Sequence, residues 1–287
     1  MRKFVEAETG REARAAAVAQ RHEGLVDTAG EPMRAFHLRM AELHRATERQ
    51  HRAAAELHAA HADALSLWTE RQRYTRTLPP KFMAAVATAT GSPSMAMTLL
   101  GLKRDEAAVA VSDSVAEAAH DLEYVFGEGP AQTALDASGT LNVCGEEELS
   151  RQWPQFGPAL YGLGVHAVVS ARLGRPEAPL GALTAYRPDA ASDLVVTSSV
   201  ATVAGALTAT ALDLSVAVDA EDGLPAHPLF DDVDLRAVVH QATGMVMTLQ
   251  ECSASDALAL LRAHAFARNK TVTEVAVAIV NRTARFS

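Results

Sequence analysis

The amino-acid sequence predicts an α+β fold with a long N-terminal helix able to form a coiled coil, a central antiparallel sheet with flanking helices, and a C-terminal three-helix bundle. Three observations predict it: an apolar repeat at alternating spacings of three and four residues near the start, a succession of strand-like segments in the middle, and only helical periodicity near the end. The predicted boundaries are residues 1–76 for the N-terminal helical segment, 77–218 for the central domain, 219–230 for a linker and 231–287 for the C-terminal module.

A five-heptad seam runs along the N-terminal segment. Its members are Met33, Phe36, Met40, Leu43, Thr47, Gln50, Ala54, Leu57, His61, Ala64 and Trp68. Because this spacing drives two helices to supercoil, we predict a homodimer formed along the seam. The polar residues at its centre weaken such pairing. Packing of the helix on the next domain of the same chain is the alternative.

Four histidines, His37, His44, His51 and His58, lie one heptad apart beside the seam. Since imidazole titrates near neutral pH, such a row could act as a pH-sensitive element. The simpler interpretation is a set of solvated side chains on a helix surface. Residues seven apart lie about 10 Å from one another along a helix, which is too far to bind one metal ion, so we predict no metal site.

The central domain begins after Leu78-Pro79-Pro80, because consecutive prolines end a helix. The predicted strands are 94–102, 107–112, 140–143, 166–173 and 180–187, and the predicted helices are 115–126, 153–163 and 193–218. The acidic run 146–148 indicates a solvated helix start. Strands in succession between bracketing helices favour an antiparallel sheet.

The C-terminal module follows a linker that carries Asp, Gly and two prolines. Its predicted helices are 233–250, 254–268 and 273–285. Ser253 is placed to cap the second helix, with Asp256 at the capping-box position, and Thr271 to cap the third.

Composition limits the functions that the chain can have. With a net charge of −9 it does not coat nucleic acids indiscriminately, so any contact with them must come from a local patch. From residue 235 onward six Arg or Lys stand against three Asp or Glu, a local excess that suits a few phosphate contacts. No signal peptide is found, and the longest apolar run, residues 195–211, is broken by Thr and Ser, which predicts a cytoplasmic protein without a membrane segment.

Catalytic patterns are absent from the sequence. It contains no dinucleotide-binding or P-loop glycine pattern, no nucleophile elbow and no HExxH zinc motif. The two cysteines, Cys144 and Cys252, lie far apart and form no metal or disulfide framework, and Cys144 is interpreted as a packing residue. We therefore expect a protein that is not an enzyme and that has no cofactor.

The central domain resembles the GAF domains of actinobacterial regulators. The resemblance lies in the turn Phe126-Gly127-Glu128-Gly129-Pro130, the segment Trp153-Pro154-Gln155-Phe156, and the strand Leu180-Gly181-Ala182-Leu183, which occur in that order. It implies a GAF-like sheet and a pocket for a small-molecule signal whose identity the sequence does not give.

The C-terminal module closely resembles the ANTAR domain, the AmiR/NasR-type transcription antitermination regulator. The matching residues are Gln241-Ala242-Thr243-Gly244-Met245-Val246-Met247, Ser253-Ala254-Ser255-Asp256-Ala257, Leu260-Leu261-Arg262, Ala265, Asn269-Lys270 and Val275-Ala276. Thr243 departs from the family pattern, which often has Lys there. The resemblance implies a dimer that binds paired RNA hairpins and keeps transcription from terminating.

The candidate RNA-binding residues follow from this resemblance and are Gln241, Gly244, Met247, Arg262, Ala265, Arg268, Asn269 and Lys270. Gly244 leaves the helix surface bare for a close backbone approach, although Gly244 and Ala265 could equally serve tight helix packing. Asn269 could read a looped base or cap a helix. Arg262 suits a phosphate or a base, and a merely solvated charge is its alternative.

Two other functions remain open from the sequence. A DNA-binding helix-turn-helix is disfavoured because the third helix is mostly apolar and offers few side chains that could read bases. A sensor or scaffold that acts only through protein partners is the other alternative.

Overall fold

The computed structural model describes residues 1–71, 79–100, 106–137, 139–191, 193–211, 227–230, 237–268 and 270–283. Within them the predicted α+β class is confirmed, with long N-terminal helices, a five-stranded antiparallel sheet in the middle and a group of C-terminal helices. The predicted linker, residues 219–230, lies outside the described residues except for 227–230.

Two helices form the N-terminal segment, α1 (Arg2–Val26) and α2 (Met33–Arg71). They pack side by side in antiparallel directions, because Glu23 near the end of α1 meets Arg45 whereas the earlier Glu12 meets the later Arg52. An ion pair of 2.7 Å between Arg45 and Glu23 is one of the polar contacts that join them. The partner of α2 is therefore, first of all, another helix of the same chain.

The central sheet has the strand order β2-β1-β5-β4-β3, and all neighbours are antiparallel. Its strands are β1 (Ser94–Leu100), β2 (Glu106–Val111), β3 (Leu141–Cys144), β4 (Ala167–Arg175) and β5 (Ala178–Arg187). The alternation of side chains along β1 sends Met95 and Met97 to one face and Ala96 to the other, so both faces are covered.

Helices cover both faces of this sheet. They are α3 (Phe82–Thr90) and α8 (Leu194–Ala211) on one face, and α4 (Ser114–Phe126), α5 (Pro130–Asp136), α6 (Glu146–Gln152) and α7 (Phe156–Gly162) on the other. By length and composition α8 could cross a membrane. Within the described residues it packs Val196, Val200, Val203 and Leu207 into the core on this face of the sheet.

The predicted helix 153–163 is wrong in its first turn. Trp153 lies at the end of α6 with an extended backbone (φ −135°, ψ 92°), and the next helix begins only at Phe156. The cause is Pro154, whose ring disfavours helical geometry in the residue before it. The helix start predicted from the acidic run is confirmed as α6. Helices α3 and α5 were not predicted.

The heptad seam is divided between two surroundings. Ala54 and Leu57 are buried inside the chain, where α2 packs on α8 and α3. Met33 and Leu43, nearer the start of α2, are 50% and 56% exposed. Intramolecular packing thus describes the second half of the seam, whereas pairing of two chains along the first half stays a prediction.

The row of histidines does not lie on a solvated surface, so the simpler interpretation was wrong. His37 approaches His22 of α1, with 2.8 Å between the two Nδ1 atoms, and His51 bonds Glu8 at 2.6 Å. His58 is buried against His227. These histidines lie on the side of α2 that faces α1 of the same chain, and the contacts with α1 shield their rings from solvent.

The C-terminal module consists of α9 (Ala237–Gln250), α10 (Ala254–Ala267) and α11 (Val272–Val280). Both predicted caps are confirmed. The Ser253 hydroxyl accepts the Asp256 N–H, and Thr271 forms a full capping box with Glu274. The three helices share one apolar core formed by Val239, Ala242, Val246, Ala257, Leu261, Ala265, Val272, Val275, Ala276 and Ile279.

Candidate nucleic-acid interface

One face of α9 is open to a binding partner. Gln241 and Gly244 are exposed and lie three residues apart, so they share a face, and Met247 follows at the same spacing, half-buried against the core. A Cβ added at Gly244 would meet no atom within 4 Å. The glycine is therefore not needed for packing within the described residues, and it leaves backbone accessible.

The end of α10 and the start of α11 present positive charge. Arg268 and Lys270 are both exposed. Asn269, between them, lies outside the described residues, so both its predicted roles stay predictions. Ala265 is a correction, because its side chain is completely buried in the core of the module. Packing, not surface contact, accounts for this alanine.

Arg262 is not a solvated charge in this arrangement. Its guanidinium carbon lies 4.8 Å above the centre of the Tyr124 ring, which belongs to α4 of the central domain. Burial lowers the pKa of the guanidinium, and its Nε has no hydrogen-bond partner among the described residues. An arginine suited to phosphate is thus covered by the neighbouring domain.

Two aromatic contacts hold α10 against α4. Tyr124 is 5% exposed and packs into the apolar core of the C-terminal module. Phe126 meets Phe266 edge to face, with 5.7 Å between ring centres. Aromatic pairs of this geometry contribute about 0.5–1.5 kcal/mol beyond their buried area. The last turn of α4 is therefore a docking surface for the module.

The turn that follows α4 is shaped for these contacts. Gly127 ends the helix in the left-handed region (φ 69°), and a Cβ there would stand 3.1 Å from Nη1 of Arg262. A Cβ on Gly129 would stand 2.6 Å from the side chain of Glu123, which bonds the first N–H groups of α5. Glu128 accepts the N–H groups of Gln155 and Phe156 at 2.6 and 2.9 Å.

Comparison with known families decides what the C-terminal helices are. Residues 230–280 match the ANTAR domain. This module is an ANTAR domain. ANTAR domains are RNA-binding antitermination modules of transcription regulators, and the exposed residues Gln241, Gly244, Arg268 and Lys270 lie within this domain. Contact of these residues with RNA stays a prediction.

Two solved structures resemble the chain more distantly. One is a domain of a two-component sensor histidine kinase protein from Sinorhizobium meliloti 1021, at 14% identity over 45% of this chain and 85% of that one, with a TM-score of 0.35. The other is Escherichia coli SdiA, at 13% identity over 74% of this chain and 93% of that one, also with a TM-score of 0.35. No curated protein matches the chain. The GAF assignment of the central domain stays a prediction.

Sequence reasoning missed Tyr124 and Phe266 as functional residues. The turn after α4 was recognised through its glycines, but nothing in the local pattern shows that the ring before it faces the ANTAR domain. Cys144 donates to the Asn142 side chain at 3.0 Å, and burial raises the pKa of its thiol. Because the thiolate is the reactive form, this agrees with the packing interpretation.

Proposed function

We propose that the chain is a cytoplasmic, signal-responsive transcription antitermination regulator, not an enzyme, which binds paired RNA hairpins as a homodimer through its ANTAR domain. The observation that carries the proposal is the contact of Arg262 with Tyr124. It joins the domain that matches an RNA-binding family to the domain that resembles a sensor.

The accessible part of the ANTAR surface suits RNA. Arg268 and Lys270 offer cations for phosphate, and Gly244 lets a nucleotide approach the α9 backbone. These few charges lie on a chain whose net charge is −9, so non-specific attraction is weak. Shape and hairpin geometry would therefore supply most of the selectivity.

Docking on α4 supports control by a signal. While α10 is docked on α4, Arg262 lies half-buried at the junction of the two domains, where an RNA hairpin cannot reach its guanidinium. Full RNA contact requires the ANTAR domain to leave α4. A signal that changes the stability of the docked arrangement would change the population of the RNA-binding form.

Dimer formation is supported by the exposed start of α2. Met33, Phe36 and Leu43 are large apolar side chains that are 40–56% exposed. A second chain paired along this helix would bring two ANTAR domains into one particle. Two domains that engage two linked hairpins gain about 10²–10⁴ in avidity without any new contact.

The test uses the full chain and RNA selected by it from a transcriptome. Gel shifts then compare an RNA that carries two adjacent hairpins with each hairpin alone. We expect the paired RNA to bind at least about tenfold tighter. Equal affinity for both RNAs would contradict binding as a dimer. Failure to select any RNA would favour the alternative, a sensor that acts only through protein partners.

Single substitutions locate the surface. Lys270→Ala should weaken binding of the paired RNA while far-ultraviolet circular dichroism stays unchanged. Arg175→Ala is the matched control, because it removes an exposed cation from the β4–β5 turn of the central domain. Equal affinity of the two variants would remove Lys270 from the interface.

A further inference from the structure

A cavity of about 450 Å³ lies where the central domain meets the ANTAR domain. Strands β1, β2 and β5 form one side together with α4 and α5, and Glu123 is among the lining residues. The ANTAR domain closes the other side with His240, Leu258 and Arg262. The size is that of a site for a small organic molecule. Because two domains form its walls, the cavity is complete only while they are docked.

Glu123 is an incompletely satisfied acid in the wall of this cavity. Its side chain is 2% exposed. Oε1 accepts the N–H groups of Ala131 and Gln132 at 2.8 and 3.1 Å, whereas Oε2 has no partner among the described residues. A buried oxygen left in this state is costly, and a donor from a ligand would remove the cost. Burial raises the pKa of this carboxyl to about 7, so an ammonium group would displace its proton on binding.

Arg262 contributes the opposite charge from the other domain. Its Nε lacks a partner among the described residues, and a guanidinium binds carboxylates strongly. Leu135 and Leu258 add apolar surface from either side of the junction. The remaining ionisable side chains in the lining are Glu106, Tyr124, Asp136 and His240, and Glu106 is paired with His120 at 3.0 Å.

We propose that the cavity binds a small molecule of the α-amino-acid class, with its ammonium group on Glu123 and its carboxylate on Arg262. Such a ligand bridges the two domains and binds the docked arrangement more tightly than the released one. It therefore opposes release of Arg262 and weakens RNA binding. The weakening of RNA binding rests on the proposed function, whereas binding of the amino acid to the cavity does not.

Isothermal titration of the full chain with the standard L-amino acids, one at a time and without RNA, tests the site. We expect at least one to bind saturably and to raise the melting temperature. Its decarboxylated amine and its deaminated acid should each bind at least about tenfold more weakly, because each lacks one of the two charged contacts. Absence of binding by every amino acid would overturn the proposal.

Two variants and one control test where the ligand binds. Glu123→Gln keeps the acceptor for the two N–H groups and removes the charge, and should weaken binding about tenfold or more. Glu117→Gln, on the exposed side of the same helix, should leave it unchanged. Arg262→Gln should weaken binding of the intact amino acid but not of its decarboxylated amine. Equal binding by Glu123→Gln and wild type would overturn the assignment.

A competition experiment tests the regulatory half. Linkage requires that a saturating amino acid weaken RNA binding by the same factor as RNA weakens amino-acid binding. A ligand that binds without any change in RNA affinity would refute the bridging role. If the chain binds amino acids but no RNA, the proposed function fails while the ligand site stands.

Discussion

Replacing Tyr124 with leucine should make the full chain bind RNA more tightly. The ring supports the Arg262 guanidinium at 4.8 Å and is 5% exposed. A partly desolvated cation–π contact contributes about 1 kcal/mol, between the values for exposed and fully buried pairs. Leucine keeps apolar contact with the ANTAR core and removes the aromatic face. If docking and RNA binding exclude each other, weakening docking by about 1 kcal/mol raises apparent RNA affinity by up to about fivefold.

The assay is a filter-binding or fluorescence-anisotropy titration of the paired hairpin at fixed salt. Tyr161→Leu is the control. It removes a half-buried ring of α7 that contacts His166 within the central domain and not the ANTAR domain. The control should bind RNA as the wild type does. Should the Tyr124 variant be folded and yet bind RNA no more tightly than wild type, the docked contact does not compete with RNA.

Three further predictions concern stability and salt dependence. Because the pKa of Glu123 is raised from 4.5 to about 7, the folded state holds more protons than the unfolded state between these values. Stability from this group is present at low pH and is lost as pH rises through the window. Glu123→Gln should therefore reduce the fall in unfolding free energy between pH 5 and pH 8 by about 2 kcal/mol in urea titrations, and an unchanged fall would refute the buried acid. Gly129→Ala should lower the unfolding free energy by about 2 kcal/mol, since its methyl group would collide with Glu123. The control is Gly24→Ala, which lies in a helix and whose added methyl group would meet no atom within 4 Å, so it should be neutral or stabilising. An equal change of melting temperature in both variants would refute the collision with Glu123. Lys270→Ala should reduce the slope of log affinity against log salt by about 1, and an unchanged slope would mean that Lys270 touches no phosphate.

Much of the fold could be predicted because local patterns determine it. The strand sequences either alternate between apolar and polar residues or are continuously apolar. The caps Ser253 and Thr271 accept N–H groups of their own helices. Prediction failed where one residue overrode the pattern. Trp153 fits a helical repeat, but the proline after it holds its backbone extended.

The candidate site was predicted less completely, because packing between the two domains decides which of its side chains are buried and which are exposed. Periodicity on α10 places Ala265 and Arg262 but does not show that the first is core and the second is covered by α4. The partner ring, Tyr124, lies well over a hundred positions earlier in the chain. A single sequence carries no local sign of such a contact.

Hydrogen–deuterium exchange of the full chain with and without saturating paired-hairpin RNA shows whether the ANTAR domain leaves α4 when it binds RNA. We expect slower exchange in α9 and at residues 268–271, together with faster exchange in the last turn of α4, residues 123–127, as the ANTAR domain leaves it. Protection of the ANTAR domain with no change in α4 would contradict masking of Arg262. No protection anywhere in the C-terminal module would contradict RNA binding itself.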